Sequence, residues 1–301
     1  MLRRDILIPM TRRSALLLSL CAPAVAQLRA KRVQNQSQPR GTAATAQDST
    51  VRWNPRPVFV GAPVLFKSKT FSGPATWLDR RIDFRPDGDN FSALAGVSLN
   101  QAPGIYPLIF GADRVEVAVT NHAYPSSTIT VPQKFVAPPK EIQAQIDDEV
   151  ATKKKAFTSS PPERLWRGPF ISPANTRYTS SFGSRRVYNG KTRSVHQGLD
   201  YSAAMGTQVR AANSGRVLIA RPMYFEGGFI VIDHGESIFT LYMHLSEFLV
   251  KEGAAIEKGA PIAKSGSSGR VTGPHLHFGV RWQDLYLEPS TLLGLWRGET
   301  A

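Results

Sequence analysis

The feature that most constrains the fold is a series of short apolar runs, broken by glycine and proline, that extends over most of the chain. Runs such as PVFVGAPVLFKS and GIYPLIFGA occupy residues from Trp53 to about Phe135, and similar runs such as GGFIVIDHG resume near residue 170. Short strands with regular turn signals are typical of all-β domains. We predict an all-β protein with a β-sandwich accessory domain over residues 51–135 and a second β domain over residues 170–301.

A single helical pattern separates the two β-rich parts. Ile142, Ile146 and Val150 recur every four residues, two prolines precede them, and acidic residues lead while three lysines trail. This order suits the start of a helix and its dipole. The stretch TSSPPERLWRGPF follows and is typical of a linker. We interpret residues 136–169 as a helical connector and linker, and a partner-binding helix is the alternative.

The first 26 residues have the pattern of a secretory signal peptide. Basic residues precede an apolar run from Ala15 to Leu20, and small residues follow in AVA. That run is too short to span a bilayer, and no later run is long enough. We therefore expect an exported protein, periplasmic or extracellular in the cell wall, with a flexible leader at 27–50. A twin-arginine signal at Arg12–Arg13 and a lipid-modified Cys21 match their patterns only in part.

Charge and cysteine content limit the partners and the metal ligands. The formal net charge of +14 favours an anionic partner such as nucleic acid, anionic lipid or an acidic cell-wall polymer, and a contribution to solubility alone is the alternative. The basic residues are scattered without a nucleic-acid-binding motif, so no nucleic acid is expected. Cys21 is the one cysteine and lies in the predicted signal peptide. A metal site in the mature chain would therefore use His, Asp or Glu.

Five of the six histidines lie in the second β-rich part. The sixth, His122, is the lone histidine of the first part, where a structural or solvated role is more common. His196 and Asp200 stand four apart in SVHQGLDYS, and Gly198 between them argues against a helix. Imidazole and carboxylate both ligate zinc. Taken alone, the spacing is a weak signal, and a histidine and an aspartate on a turn are the more common explanation.

The remaining candidates fall in two further predicted strands. In FTLYMHLSE, alternation places the apolar residues in a core and Thr240, Tyr242 and His244 toward a cleft or solvent. In TGPHLHFGV, His275 and His277 project to one face of a strand, about 7 Å apart. One of them can bind a metal while the other stands beside it, or both can bind. Spacing alone leaves this open.

A catalytic zinc site can be assembled from these residues. Such a site has three protein ligands and an open position, and His196, Asp200 and one of His275 or His277 supply three. His244 and the other histidine are then available for acid–base work, which suits a group whose pKa lies near neutrality. The helical H-E-x-x-H motif of other zinc proteases is absent from the sequence.

These motifs resemble the signature of the lysostaphin-type (LytM-domain) zinc metalloendopeptidase family. HQGLD, LYMHL and GSSGRVTGPHLHFGV carry the resemblance, and SSFGSRR and VKEGAAIEKGAPIAKSG resemble its framework, over about residues 170–292. The resemblance implies a compact, mostly antiparallel β fold of the duplicated hybrid motif type. It implies one Zn²⁺ per peptidase domain, with His196, Asp200 and His277 as ligands. The other two histidines, His244 and His275, would be catalytic residues beside the ion.

The family resemblance also implies a substrate, the peptide cross-links or bridges of bacterial peptidoglycan, cut in cell-wall remodelling or lysis. A non-catalytic peptidoglycan-binding regulator of other wall hydrolases is the alternative, which the five intact positions disfavour. A biotin- or lipoyl-type carrier would leave the histidines unexplained. His234 in IDHGE matches a framework position, and we expect a structural role for it. Arg185 in FGSRR is a candidate to meet a substrate carboxylate in the cleft.

Overall fold

A computed structural model of the protein describes residues 51–190 and 192–297. The predicted signal peptide (1–26) and leader (27–50), with Arg12–Arg13 and Cys21, lie outside the described residues. In the part that is described, no helix is long and apolar enough to cross a membrane. Strands predominate, as the sequence predicts.

The first β-rich part forms an eight-stranded sheet. Its strands are β1 (Val51–Asn54), β2 (Val58–Phe59), β3 (Pro63–Ser68), β4 (Gly73–Trp77), β5 (Arg80–Asp87), β6 (Asn90–Gly96), β7 (Gly104–Phe110) and β8 (Asp113–Thr120). Their order is β1-β3-β6-β5-β4-β7-β8-β2. The start of β5 pairs with β4 and its end pairs with β6, so this strand joins the two halves of the sheet.

The two halves of this sheet pack on each other. Phe66 of β3 and Trp77 of β4 are three places apart in strand order, yet their ring centroids are 5.3 Å apart. Both side chains are fully buried. The sheet therefore folds over a common apolar core, which is the packing expected of the predicted β-sandwich.

The connector holds a long helix, α1 (Gln143–Phe157), and a 3₁₀ turn at Lys140–Ile142. A short strand, β9 (Ser126–Ile129), and a 3₁₀ turn at Gln133–Phe135 precede it at the end of the first part. The expected stripe of Ile142, Ile146 and Val150 is not the buried face, because Val150 is 54% exposed and the buried residue of α1 is Glu149. Phe157, two turns further along, packs on Phe239 with ring centroids 5.2 Å apart. The helix therefore covers one face of the second sheet as well as connecting the two parts.

The second β-rich part forms a ten-stranded sheet, and two of its strands form a three-stranded sheet with β9. Its strands are β10 (Tyr178–Ser180), β11 (Arg185–Tyr188), β12 (Thr192–Val195), β13 (Leu199–Tyr201), β14 (Gln208–Arg210), β15 (Gly215–Met223), β16 (Gly227–Asp233), β17 (Ile238–Phe248), β18 (Ala255–Ile256), β19 (Pro261–Ser265), β20 (Leu276–Trp282) and β21 (Leu285–Leu287), followed by α2 (Pro289–Gly294). The large sheet runs β10-β13-β20-β17-β16-β15-β18, and its pairings are antiparallel. The small sheet runs β12-β11-β9.

Both faces of β17 are buried, so the predicted position of Thr240 and Tyr242 toward a cleft or solvent is wrong. A hydrogen-bonded chain satisfies their hydroxyl groups in the core: Tyr242 is 3.0 Å from Thr240, and Thr240 Oγ1 is 2.7 Å from His234 Nε2. His234 Nδ1 donates to the carbonyl of Ser214 at 2.7 Å. Burial lowers the pKa of His234 to about 4. A neutral histidine that links three buried polar groups has the structural role that the sequence predicts.

The linker after α1 is packed between the two β-rich parts. Arg164 donates to the carbonyl of Ser92 in β6 at 2.7 Å and to Glu236, before β17, at 2.9 Å. Trp166, which is 1% exposed, donates to the same carboxylate at 3.0 Å. One apolar core contains residues from both parts. The boundaries at 51–135, 136–169 and 170–301 stay a prediction as domain limits.

Candidate metal centre

Three neighbouring strands bring the predicted site residues together. Asp200 in β13 is directly opposite His277 in β20, and His277 is opposite Met243 in β17. His196 lies three residues before β13, where its backbone N–H donates to the carbonyl of Ser184 at 2.8 Å. Residues that are directly opposite in a sheet project to the same face. The register therefore places Asp200 beside His277, and the turn after β12 brings in His196.

His196, Asp200 and His277 converge on one point. Asp200 Oδ1 lies 2.9 Å from His196 Nε2 and 2.8 Å from His277 Nδ1, and the two nitrogens are 3.0 Å apart. All three residues are at least 93% buried. Among the described residues, this is the one group of three or more histidine, cysteine or acidic side chains close enough to hold a metal ion.

The protonation of these groups fits a bound cation. His196 Nδ1 donates to the carbonyl of Ser181 at 2.8 Å, which leaves a lone pair on Nε2. Burial would raise the pKa of Asp200, but the imidazoles of His196 and His277 beside the carboxylate hold this pKa well below its usual range. Burial lowers the pKa of His277, which favours its neutral form. Lone pairs of His196 and Asp200 therefore face each other at 2.9 Å, and two imidazoles with one carboxylate are a donor set that suits Zn²⁺.

Arg186 is a site residue that the sequence reading missed. Its guanidinium donates to Asp200 Oδ2 at 2.6 Å and to Ser180 Oγ at 2.8 Å, so Oδ1 alone faces the two histidines. Arg185, the predicted candidate for the cleft, is exposed, and its backbone N–H donates to Pro125 at 2.8 Å. Successive residues of a strand face opposite ways. The RR pair signals one inward arginine, but the sequence does not say which of the two it is.

His275 stands beside the cluster. Its Nδ1 donates to the carbonyl of Gly273 at 2.9 Å, and its Nε2 lies 3.9 Å from Asp200 Oδ1. The side chain is 19% exposed, more than that of His277 at 10%. With Nδ1 bound to this carbonyl, His275 directs its Nε2 to the more open edge of the site.

His244 reaches the site through a β-bulge. Between the pairs Gly228–Leu245 and Ile230–Tyr242, β17 has one residue more than β16, and His244 adopts a φ of +66°. Its ring centroid lies 4.7 Å from that of His275 and 6.1 Å from that of His277. In a regular strand His244 would face away from Met243 and hence from His277. The bulge turns it onto the face of the metal cluster.

Two backbone carbonyls hold His244 in this conformation. Its N–H donates to Glu226 at 2.8 Å, and its Nδ1 donates to Ser268 at 2.9 Å. Burial, followed by the nearby His275 and His277, lowers the pKa of His244 well below its usual value. His244 is therefore neutral near pH 7, with a lone pair on Nε2.

Helix α1 supports the loop that carries Glu226. Both carboxylate oxygens of Glu149 accept the N–H of Tyr224, at 3.0 and 2.9 Å. Lys153 forms an ion pair with the Glu226 side chain. One turn of α1 therefore contacts the loop in which the Glu226 carbonyl accepts the N–H of His244.

The second β-rich part matches the family model of peptidase family M23 over residues 194–289. Peptidoglycan DD-endopeptidase ShyA of Vibrio cholerae is 36% identical over 126 residues, which are 42% of this chain and 27% of that protein. DD-carboxypeptidase/endopeptidase Mpg of Neisseria meningitidis is 41% identical over 106 residues, 35% of this chain and 24% of that protein. The chain thus spans about a quarter of the length of these relatives.

The overall fold has a solved counterpart. A crystal structure of a peptidase M23 from Pseudomonas aeruginosa superposes with a TM-score of 0.61 at 23% identity, over 80% of this chain and 96% of that one. At this identity the likeness concerns the fold alone, and it extends beyond the residues of the family model. The predicted family resemblance is confirmed over residues 194–289, which match the model of peptidase family M23.

Proposed function

We propose that the protein is an exported zinc metalloendopeptidase that hydrolyses peptide cross-links or bridges of bacterial peptidoglycan. The observation that carries this proposal is the convergence of His196, Asp200 and His277 within 3.0 Å, flanked by two further histidines. The name of the relative ShyA, a peptidoglycan DD-endopeptidase, supports peptidoglycan peptides as the substrate.

His196 Nε2, Asp200 Oδ1 and His277 Nδ1 would hold one Zn²⁺. When bound, the ion would polarise the scissile carbonyl and lower the pKa of a water molecule. Ser181 and Arg186 keep the ligand atoms turned toward the ion, because each binds the atom of its partner that faces away from the site. Such supporting contacts raise ligand basicity and fix orientation.

His244 and His275 would move the proton. Each donates through Nδ1 to a backbone carbonyl, so each has Nε2 available to accept a proton from the attacking water. The imidazolium that results can donate to the tetrahedral oxyanion or to the leaving amine. The two ring centroids are 4.7 Å apart, so protonation of one imidazole disfavours protonation of the other.

Export would bring this site to its substrate. The proposal of a periplasmic or cell-wall location relies on the signal-peptide pattern in residues 1–26. The net charge of +14 suits acidic wall polymers, whereas other envelope proteins as partners have no specific support.

We expect the purified protein to cut cross-linked peptides in isolated sacculi. Muropeptides released after digestion are separated and identified by mass spectrometry, with protein alone, with a chelator, and with the chelator followed by excess Zn²⁺. The expected result is loss of cross-linked dimers, blocked by the chelator and restored by zinc. If the zinc-loaded protein binds sacculi but changes no muropeptide, the enzyme proposal is wrong and the regulator alternative is supported.

A further inference from the structure

We propose that Arg270 selects substrates in which the carbon that bears the scissile amide nitrogen also bears a free carboxylate. This inference rests on the proposed function and names its substrate class. A cross-link to a diamino acid through the amine next to a carboxyl group has this chemistry, whereas a glycine bridge in mid-chain or an amidated diamino acid lacks the free carboxylate. Arg270 would therefore determine specificity.

Arg270 lies in a loop that contributes residues to the metal centre. The loop from β19 to β20 contains Ser268, whose carbonyl fixes His244, then Arg270, then His275. The Arg270 N–H donates to the carbonyl of Phe225 at 2.9 Å. Phe225 immediately precedes Glu226, whose carbonyl accepts the N–H of His244. The backbone at Arg270 is thus tied to both segments that position His244.

The guanidinium of Arg270 is held by aromatic rings. Its Cζ lies 4.8 Å from the ring centroid of Tyr188 and 5.1 Å from that of Phe225. Tyr188 ends β11, the strand whose Arg186 binds Asp200. The tight turn at Gly269, where φ is +75° and a Cβ would collide with the backbone of Gly227, restricts the loop further. Arg270 is therefore placed before a ligand arrives.

Arg270 has no anionic partner in the described part of the chain. No ion pair or side-chain hydrogen bond of its guanidinium is present there, and the residue is partly exposed. The nearby acids are engaged elsewhere: Glu226 with Lys153, and Asp200 with Arg186. The other arginine beside the centre, Arg186, is already paired with Asp200 and Ser180. The charge of Arg270 is thus available to a ligand.

A stacked guanidinium suits a carboxylate better than other ligands. Its donors lie in one plane and can bind both oxygens of a carboxylate at once. Because the rings already restrict the side chain, less rotamer entropy is lost on binding. A charged hydrogen-bonded pair of this kind contributes roughly 1.5–3 kcal/mol, or about 10–150-fold in discrimination.

Two synthetic cross-linked peptides test this inference. They differ only at the carbon that bears the scissile nitrogen, which has a carboxylate in one and a carboxamide in the other. We expect wild type to favour the carboxylate peptide by about 10–150-fold in kcat/KM. Arg270→Gln should lose that preference by slowing on the carboxylate peptide alone, and Arg270→Lys should keep part of it. Arg210→Gln, the same charge change at an exposed arginine of β14, should behave as wild type.

A binding titration separates this inference from the proposed function. In a His275→Ala background, which we expect to bind peptide without turnover, affinities for both peptides are measured with and without Arg270→Gln, and zinc content is checked in each variant. A preference for the carboxylate that disappears with Arg270→Gln supports the inference even if wild type cuts neither peptide. Equal affinities, or an equal loss for both peptides at unchanged zinc content, would overturn it.

Discussion

His277→Ala is expected to lose both the zinc and the activity, whereas His275→Ala keeps the zinc and loses activity by about 10²–10⁴-fold. His277 Nδ1 lies within 3.0 Å of both other ligand atoms, so its removal leaves only two ligands. His275 Nε2 comes no closer than 3.9 Å to Asp200 Oδ1 and binds through Nδ1 to a carbonyl. Zinc per chain by elemental analysis and the digestion of sacculi measure the two effects.

The control for this pair is His122→Gln, because His122 is exposed and stacks on Phe59 in the first β-rich part. It should retain zinc and activity. If His275→Ala lost as much zinc as His277→Ala, the division of roles between the two histidines would be wrong. If His275→Ala kept full activity, His244 alone would suffice as the base.

Gly198→Ala should disrupt the metal centre although residue 198 offers no ligand. A Cβ at this position would stand 2.6 Å from the carbonyl of Phe278 and collide with the His277 ring at Nε2. The Phe278 carbonyl is part of the β20 backbone and cannot move aside, so the His277 ring must shift and its Nδ1 must change position relative to Asp200. We expect a loss of about 10–100-fold in zinc affinity, the scale reported for residues that orient ligands.

Zinc affinity in competition with a chromophoric chelator measures this effect, and circular dichroism checks that the variant is folded. Gly294→Ala in α2 is the matched control, because nothing lies within 4 Å of the position that its Cβ would take. Equal affinity in Gly198→Ala and wild type would show that the His277 ring is less constrained than the structure indicates.

Much of the fold and the grouping of the site could be predicted from local patterns. Alternating apolar runs indicate strands, and the i, i+2 spacing of His275 and His277 indicates one face. The structure places both on the side of Asp200. These predictions succeed because they depend only on the alternation of side chains along a regular strand.

What could not be predicted depends on contacts between distant residues. The bulge at His244 exists because β16 and β17 are paired out of step, and alternation alone would turn His244 away from His277. Thr240 and Tyr242 are buried because residues from elsewhere in the chain cover their face of β17, and the sequence of β17 alone does not indicate this cover. Likewise, the Glu149 carboxylate accepts the N–H of Tyr224, far along the chain, and this contact turns Glu149 inward and leaves Val150 exposed.

The most direct test of the account is a crystal structure with anomalous data collected above and below the zinc absorption edge. We predict one zinc peak in the peptidase domain, bound to His196 Nε2, Asp200 Oδ1 and His277 Nδ1 at about 2.0–2.2 Å. His244 and His275 should lie beyond bonding distance. A zinc ion bound by His244 or His275 in place of one of these ligands, or no peak in crystals soaked with zinc, would contradict the account.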